Sequence, residues 1–339
     1  MGKISCKILI FSVPFILLYI IMDPFKTLRD YEIYYDDSPV GINRSFVSTQ
    51  TYLNKDKKYH YDSFILGSSR TLGFLTGDWK PFLHAQSSPF VLTSDMETIS
   101  GIYDKIIFLD KRNSPINNAL IILSNDVIFV NKETEHHLLA DHPLVSGQSR
   151  LHFQYLSLAA FFSRGFFIKL LDFYLFNNYR NYLQDRTLSL KNSVVVDPVT
   201  NDLRLSHLDS LIERSPDYHN VKFGSGLYRR NGLRWISHPQ INQSHRRQLD
   251  GIMEIFKKRR TSYKIVIDPL YNQQEVNPGD LTILRAVFGS ENVFDFSGIN
   301  AFTEDVHNYY EISHYRPSVG KKIMELIYKN DVIPVSGAF

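Results

Sequence analysis

Apolar residues occur along this chain in short continuous runs separated by stretches of helical spacing, and that alternation defines the predicted elements. Tyr61 to Leu66 (YDSFIL) runs into Gly67, the pattern of a buried strand entering a turn. Pro89 to Leu92 and Ala119 to Leu123 (ALIIL) are two more such runs. Between them, Thr98 to Lys111 carries Ile99, Ile102, Ile106, Ile107 and Leu109 at roughly helical spacing. The pattern breaks from Val127 to Asn242, which holds an aromatic helical run from Phe153 to Phe176 and then polar loops to Gln240. It resumes with a helix near Ser244 to Arg260 and a strand at Tyr263 to Ile267 (YKIVI). Asn277-Pro278 starts a helix through Phe288, a strand follows at Val293 to Phe296, and a helix from Pro317 to Lys329 closes the chain.

Strands apolar on both faces and alternating with helices predict a doubly wound, mostly parallel five-stranded sheet. The expected fold class is therefore α/β, with one domain over residues 60–330 interrupted by a mostly helical insertion at 127–242. Asp23 to Tyr61 is polar, aromatic and weakly periodic, so residues 26–60 read as an irregular lead-in.

The start of the chain differs in kind. Ile8 to Met22 holds fifteen uncharged, mostly apolar residues behind Lys3 and Lys7 and ahead of Asp23-Pro24. Counted from Ile4, with Lys7 reaching to the headgroups, the run attains the ~17 residues that a spanning helix needs at minimum. No small-x-small cleavage site follows Met22, and Cys6 precedes the run. Residues 1–25 thus read as an uncleaved signal anchor with one transmembrane helix, a cleaved signal and a buried N-terminal helix being the alternatives. Lysines before the run and Asp23 after it orient the remaining chain outward. The expectation is a single-pass membrane protein touching lipid through residues 4–22, with its C-terminal domain in a bacterial periplasm or at the cell surface.

Composition narrows the classes further. With 43% hydrophobic and 22% charged residues the chain is neither disordered nor a multi-span membrane protein. A net charge of +3 gives no case for nucleic acid as a partner. A single cysteine excludes an intramolecular disulfide framework and any multi-cysteine metal site. Glu135-His136-His137 with Asp141-His142 lacks the His-Glu-x-x-His pattern and reads as a loop or helix surface, so neither a metal nor a cofactor is expected. Phe161, Phe162, Phe166 and Phe167 read as core of the insertion, because Arg164, Lys169 and Asp172 argue against a span. Lys257 to Arg260 reads as a solvated helix end, and the sequons at Asn43 and Asn242 carry little weight.

In an open parallel sheet, ligands bind beyond the carboxyl ends of the strands. Gly67-Ser68-Ser69-Arg70-Thr71-Leu72-Gly73 occupies that place after the first strand, with a serine exposed on a turn. Leu123-Ser124-Asn125-Asp126 follows the third strand, and Asn125 could donate its amide to an oxyanion. Glu311-Ile312-Ser313-His314 precedes the last helix, where a carboxylate three residues ahead of a histidine can orient the imidazole toward a serine.

Taken together, these three blocks resemble the SGNH/GDSL hydrolase superfamily. Its first block matches Gly67-Ser68-Ser69 with Gly73, its third matches Ser124-Asn125-Asp126, and its last matches Glu311-x-x-His314 followed by Pro317 and Gly320. The resemblance covers about residues 60–126 and 243–330. It implies Ser69 as nucleophile, His314 as base, Glu311 as its orienting acid and Asn125 as an oxyanion donor beside the Ser69 N–H. Three positions depart from the family pattern. Ser68 replaces the aspartate before the nucleophile, Glu311 replaces an aspartate, and Thr93-Ser94-Asp95-Met96 has no counterpart of the second block's glycine. Ser94 or Asp95 would then supply the second backbone N–H, and Asp305 and His307 are the runners-up for acid and base. The implied function is a membrane-anchored, extracytoplasmic esterase or O-acyltransferase acting on a small ester or an acylated cell-envelope glycan. Transfer would require a membrane partner that delivers the acyl group. The missing glycine supports another reading, an anchored binding or scaffold protein that kept the fold without the chemistry.

Overall fold

A computed structural model describes residues 13–36, 38–131, 134–176, 178–183, 188, 194–215, 217–219, 230 and 232–329. Its centre is a five-stranded sheet in which every neighbouring pair is parallel. The strands are β1 (Ser63–Gly67), β2 (Pro89–Thr93), β3 (Asn118–Leu123), β4 (Ser262–Ile267) and β5 (Val293–Asp295), in the spatial order β2-β1-β3-β4-β5. That order reverses direction at β1, so a crevice opens between the carboxyl ends of β1 and β3.

Successive side chains of a strand point to opposite faces, and here both faces are covered. Phe64 and Leu66 pack with Ile102 and Ile106 of α2 (Ile99–Lys111) and with Leu249 and Ile252 of α6 (Gln243–Arg259). Ile65, Leu120 and Ile122 face the other way, onto Val319, Ile323 and Met324 of α8 (Pro317–Ile327). Burial on both faces is why the strands read as continuous apolar runs. The helix starts follow capping chemistry. Thr98 accepts from Gly101 N–H to open α2, Asn242 caps α6, and Asn277 accepts from Gly279 N–H to open α7 (Pro278–Phe288).

The lead-in expectation is corrected. Residues 26–60 contain α1 (Arg44–Tyr59), sixteen residues lying against β2 and closed by His60 in the left-handed conformation. Its buried face carries hydroxyls as well as Phe46, Val47 and Tyr52, so apolar periodicity alone does not reveal it. Ser48 Oγ is 3.2 Å from Val91 O and accepts from Thr93 N–H at 3.1 Å, satisfying polar groups along β2. Asn43 is this helix's cap and is buried, with its amide donating to the carbonyls of His137 and Ala140.

Residues 127–242 do leave the sheet after β3. The aromatic run divides into α3 (Arg150–Phe161) and α4 (Arg164–Phe176), and α5 (Ser206–Arg214) follows. α3 packs toward the lead-in, with the Phe153 and Phe46 rings stacked at 5.0 Å. α5 reaches the sheet's carboxyl end, where Asp209 accepts from Tyr310 and Arg316. No helix among the described residues is long and apolar enough to cross a membrane. Residues 13–22 are helical, and residues 1–12 of the expected span lie outside the described residues.

Candidate active site

The strand–turn junction at Gly67 sets the geometry. A Cβ there would stand 2.8 Å from Ile122 O, so only glycine lets β1 pass this close to β3 before turning. Ser68 and Ser69 then part. Ser68 is buried; its Oγ accepts from Arg70 N–H at 3.4 Å and lies 3.2 Å from Ser124 Oγ. Ser69 begins the 3-10 turn Ser69–Gly73 and remains partly exposed.

Across the crevice, β6 (Tyr309–Glu311) and β7 (His314–Tyr315) form a tight antiparallel hairpin that pairs Glu311 with His314. Ser69 Oγ lies 2.8 Å from His314 Nε2. His314 Nδ1 is hydrogen-bonded to Glu311 Oε1, and Ser313 N–H donates to Glu311 Oε2 at 2.7 Å. Burial works against the charge on Glu311, but its bonds to His314 and Ser313 outweigh it and hold the carboxyl below its ordinary range. The three residues singled out from sequence, separated by 245 positions, therefore form one continuous hydrogen-bonded line. Asp305 and His307, the runners-up, bond to each other at 2.9 Å.

Two glycines permit the approach of hairpin and turn. A Cβ on Gly73 would strike the Tyr315 ring, and one on Gly320 would strike the Gly73 carbonyl. The amino-terminal turn of α8 thus lies directly on the serine turn.

Arg70 completes the assembly, and sequence reasoning passed over it. Its Nε donates to Ser313 O at 2.7 Å, and its two terminal nitrogens hold Asp126 at 2.6 and 2.7 Å. A residue adjacent to Ser69 so ties the His314 hairpin to the end of β3 by a bidentate ion pair. Beneath it, Asp268 is fully buried at the end of β4; Ser124 Oγ donates to its Oδ2 at 2.8 Å. Burial, reinforced by the Asp126 charge, pushes the Asp268 carboxyl up to about 7 against the pull of Arg70. The sequence signal for Asp268 was its position directly after the YKIVI strand, at the same sheet edge as the other blocks.

The residues expected to stabilise an oxyanion lie at the ends of β2 and β3. Gly67 pairs with Thr93 in the sheet, and Thr93 Oγ1 lies 2.9 and 3.0 Å from the carbonyls of Gly67 and Ser68. The Ser94 N–H donates back to Gly67 O at 3.4 Å. Ser94 Oγ accepts from Lys105, whose ammonium is buried in a pair with Glu97. Asp95 accepts from Arg44 at 3.1 Å. Asn125 is buried; its Nδ2 donates to Gln274 at 3.1 Å while its Oδ1 has no partner. Asn125 and Asp95 thus stand at the carboxyl ends of the strands flanking Ser69, each engaged with a neighbour other than the serine.

The histidine cluster at residues 135–142 lies in a loop. No group of three metal-ligating side chains occurs among the described residues. Within the cluster, residues 137–139 form a turn. His137 packs on Phe25 and His142 on Phe46, and burial pushes both imidazoles down to about 4. Compared with known proteins, the chain matches no family model and no curated sequence.

Proposed function

We propose that this protein is a membrane-anchored serine hydrolase or O-acyltransferase of the SGNH/GDSL type, facing away from the cytoplasm and acting on acyl esters of cell-envelope glycans. The observation that supports it most is the line Ser69 Oγ–His314–Glu311 at the carboxyl end of a parallel sheet. In this mechanism His314 Nε2 takes the Ser69 proton as Oγ bonds to the ester carbonyl carbon. The charge that develops on the carbonyl oxygen is met by the Ser69 N–H, by Asn125 and by an N–H near Asp95. Collapse breaks the bond to the alcohol, which leaves with the proton carried by His314. Water or a sugar hydroxyl then attacks the acyl-serine, giving hydrolysis or transfer. Glu311 fixes the imidazole and stabilises its protonated form. The apolar run of residues 4–22 supports the anchor, and the outward orientation rests on the flanking charges.

A specific observation also favours the non-catalytic reading. The Ser94 N–H donates to Gly67 O and one Asn125 N–H to Gln274, so neither of these bonds is directed at a developing oxyanion. Assay of the detergent-solubilised full chain against short acyl esters and O-acetylated glycans separates the two. Turnover that disappears in His314→Ala supports the enzyme; a folded, inert wild type supports the scaffold.

A further inference from the structure

The strongest feature outside the site is an apolar surface running from the helix 13–22 onto the α3–α4 pair. In helix 13–22 only Tyr19 is buried, its ring 5.2 Å from Phe161, while Phe15, Leu17, Ile20 and Ile21 stand exposed. Phe15 meets Phe167 of α4 at 5.8 Å, so the two helices share one surface. α4 is apolar on both sides. Phe166 and Leu170 turn inward, whereas Ile168, Leu171 and Leu175 form an outward stripe at spacings of three and four, with Leu175 74% exposed. A helix that carries apolar residues on two faces, here between Arg164, Lys169 and Asp172, ordinarily has both of those faces covered. Thirteen residues span about 20 Å, too short to cross a bilayer but suited to lying along it. Polar and amphiphilic groups accompany the stripe: Arg164 opens the helix, Tyr174 is exposed on it, and Arg180 beyond it stacks on Phe176 and pairs with Asp172.

We propose that α4 rests in the headgroup–acyl boundary of a phospholipid bilayer next to the end of the N-terminal run, giving the protein a second membrane contact; this rests on the reading of residues 4–22 as a membrane anchor. A lipid surface is favoured over a second copy because the patch is continuous with helix 13–22. The chain entering that helix, Ile8 to Phe11, is itself apolar, and Lys3 and Lys7 precede it. Tyr and Arg beside an apolar stripe are the residue types that settle at such a boundary. The contact is independent of the ester chemistry and would fix the height and tilt of the folded domain over the membrane.

The test uses the full chain in phosphatidylcholine liposomes, with and without bromines on the acyl chains, and a reporter introduced as Leu175→Trp. Ile168→Trp repeats it on the same stripe, and Leu326→Trp, exposed on α8, is the control. The wild type supplies the background from Trp79 and Trp235. Both α4 reporters should lose at least about half of their added fluorescence to the brominated chains and be shielded from aqueous iodide, while Leu326→Trp shows the reverse. Quenching by iodide but not by bromolipid would overturn the proposal. So would shielding from both quenchers, which assigns the patch to a second copy if dilution abolishes it and to residues 1–12 if dilution does not.

Discussion

The two sides of Ser69 are built to different degrees. On the hairpin side, the bonds around His314 serve one arrangement: Glu311 on the ring, Ser313 N–H on Glu311, and Arg70 joining Ser313 to Asp126. On the other side, the Ser94 N–H, the Asp95 carboxylate and the Asn125 amide are bonded to Gly67, Arg44 and Gln274. In the proposed mechanism the groups for proton transfer are already hydrogen-bonded in line, whereas Asn125 directs one N–H to Gln274. Enzymes of this chemistry draw much of their rate from preorganised donors, so the second side decides how fast the first can be used.

The contrast can be broken from either side. Glu311→Gln should leave the fold intact and lower the turnover of an acyl ester by ~10²–10⁴, because the imidazole loses the partner that fixes its tautomer. A loss under about threefold would mean that the hairpin alone orients His314. Asn125→Ala should lower kcat by ~10²–10³ with little change in KM if its amide turns to the oxyanion. An unchanged kcat would leave the stabilisation to backbone N–H groups. Arg70→Gln should cost ~2 kcal/mol of stability, read from denaturant midpoints, since it removes the charge-assisted bonds of a buried guanidinium to Asp126 and Ser313. It should also lower kcat by loosening the His314 hairpin, and an unaltered kcat would separate Arg70 from the relay.

The smallest effect concerns pH. Asp268 holds its proton more tightly folded than unfolded, with a folded value of about 7. Its stabilising contribution is therefore complete below its unfolded value near 3.9 and is lost as pH rises through about 7. Between those limits the wild-type Tm should fall relative to that of Asp268→Asn; parallel profiles would contradict the buried protonated carboxyl.

The same division explains what the sequence made legible. Ser69, Glu311 and His314 were found because each lies in a contiguous block after a strand or before a Pro-started helix, where local pattern carries the information. The five strands and the helices around them were legible because burial on two faces writes continuous apolar runs. Arg70 was missed because its importance comes from partners 56 and 243 residues away, which no local spacing encodes, and Asp268 because a carboxylate at a strand end does not by itself announce its burial. α1 was missed because Ser45, Ser48 and Thr49 lie on its buried face, and hydroxyls bonded into the core look like surface in a hydropathy pattern. The break between α3 and α4 at Phe162-Ser163 was hidden by an aromatic run that continues through it.

The central claim is that Ser69, and not its neighbour, is a serine activated by His314. A fluorophosphonate probe tests this directly, because it bonds to a hydroxyl whose proton a base removes. The full-length wild type and Ser68→Ala should both be labelled, whereas Ser69→Ala and His314→Ala should not. Labelling of Ser69→Ala equal to that of wild type would contradict the assignment, and a folded wild type that takes no label would contradict catalysis itself.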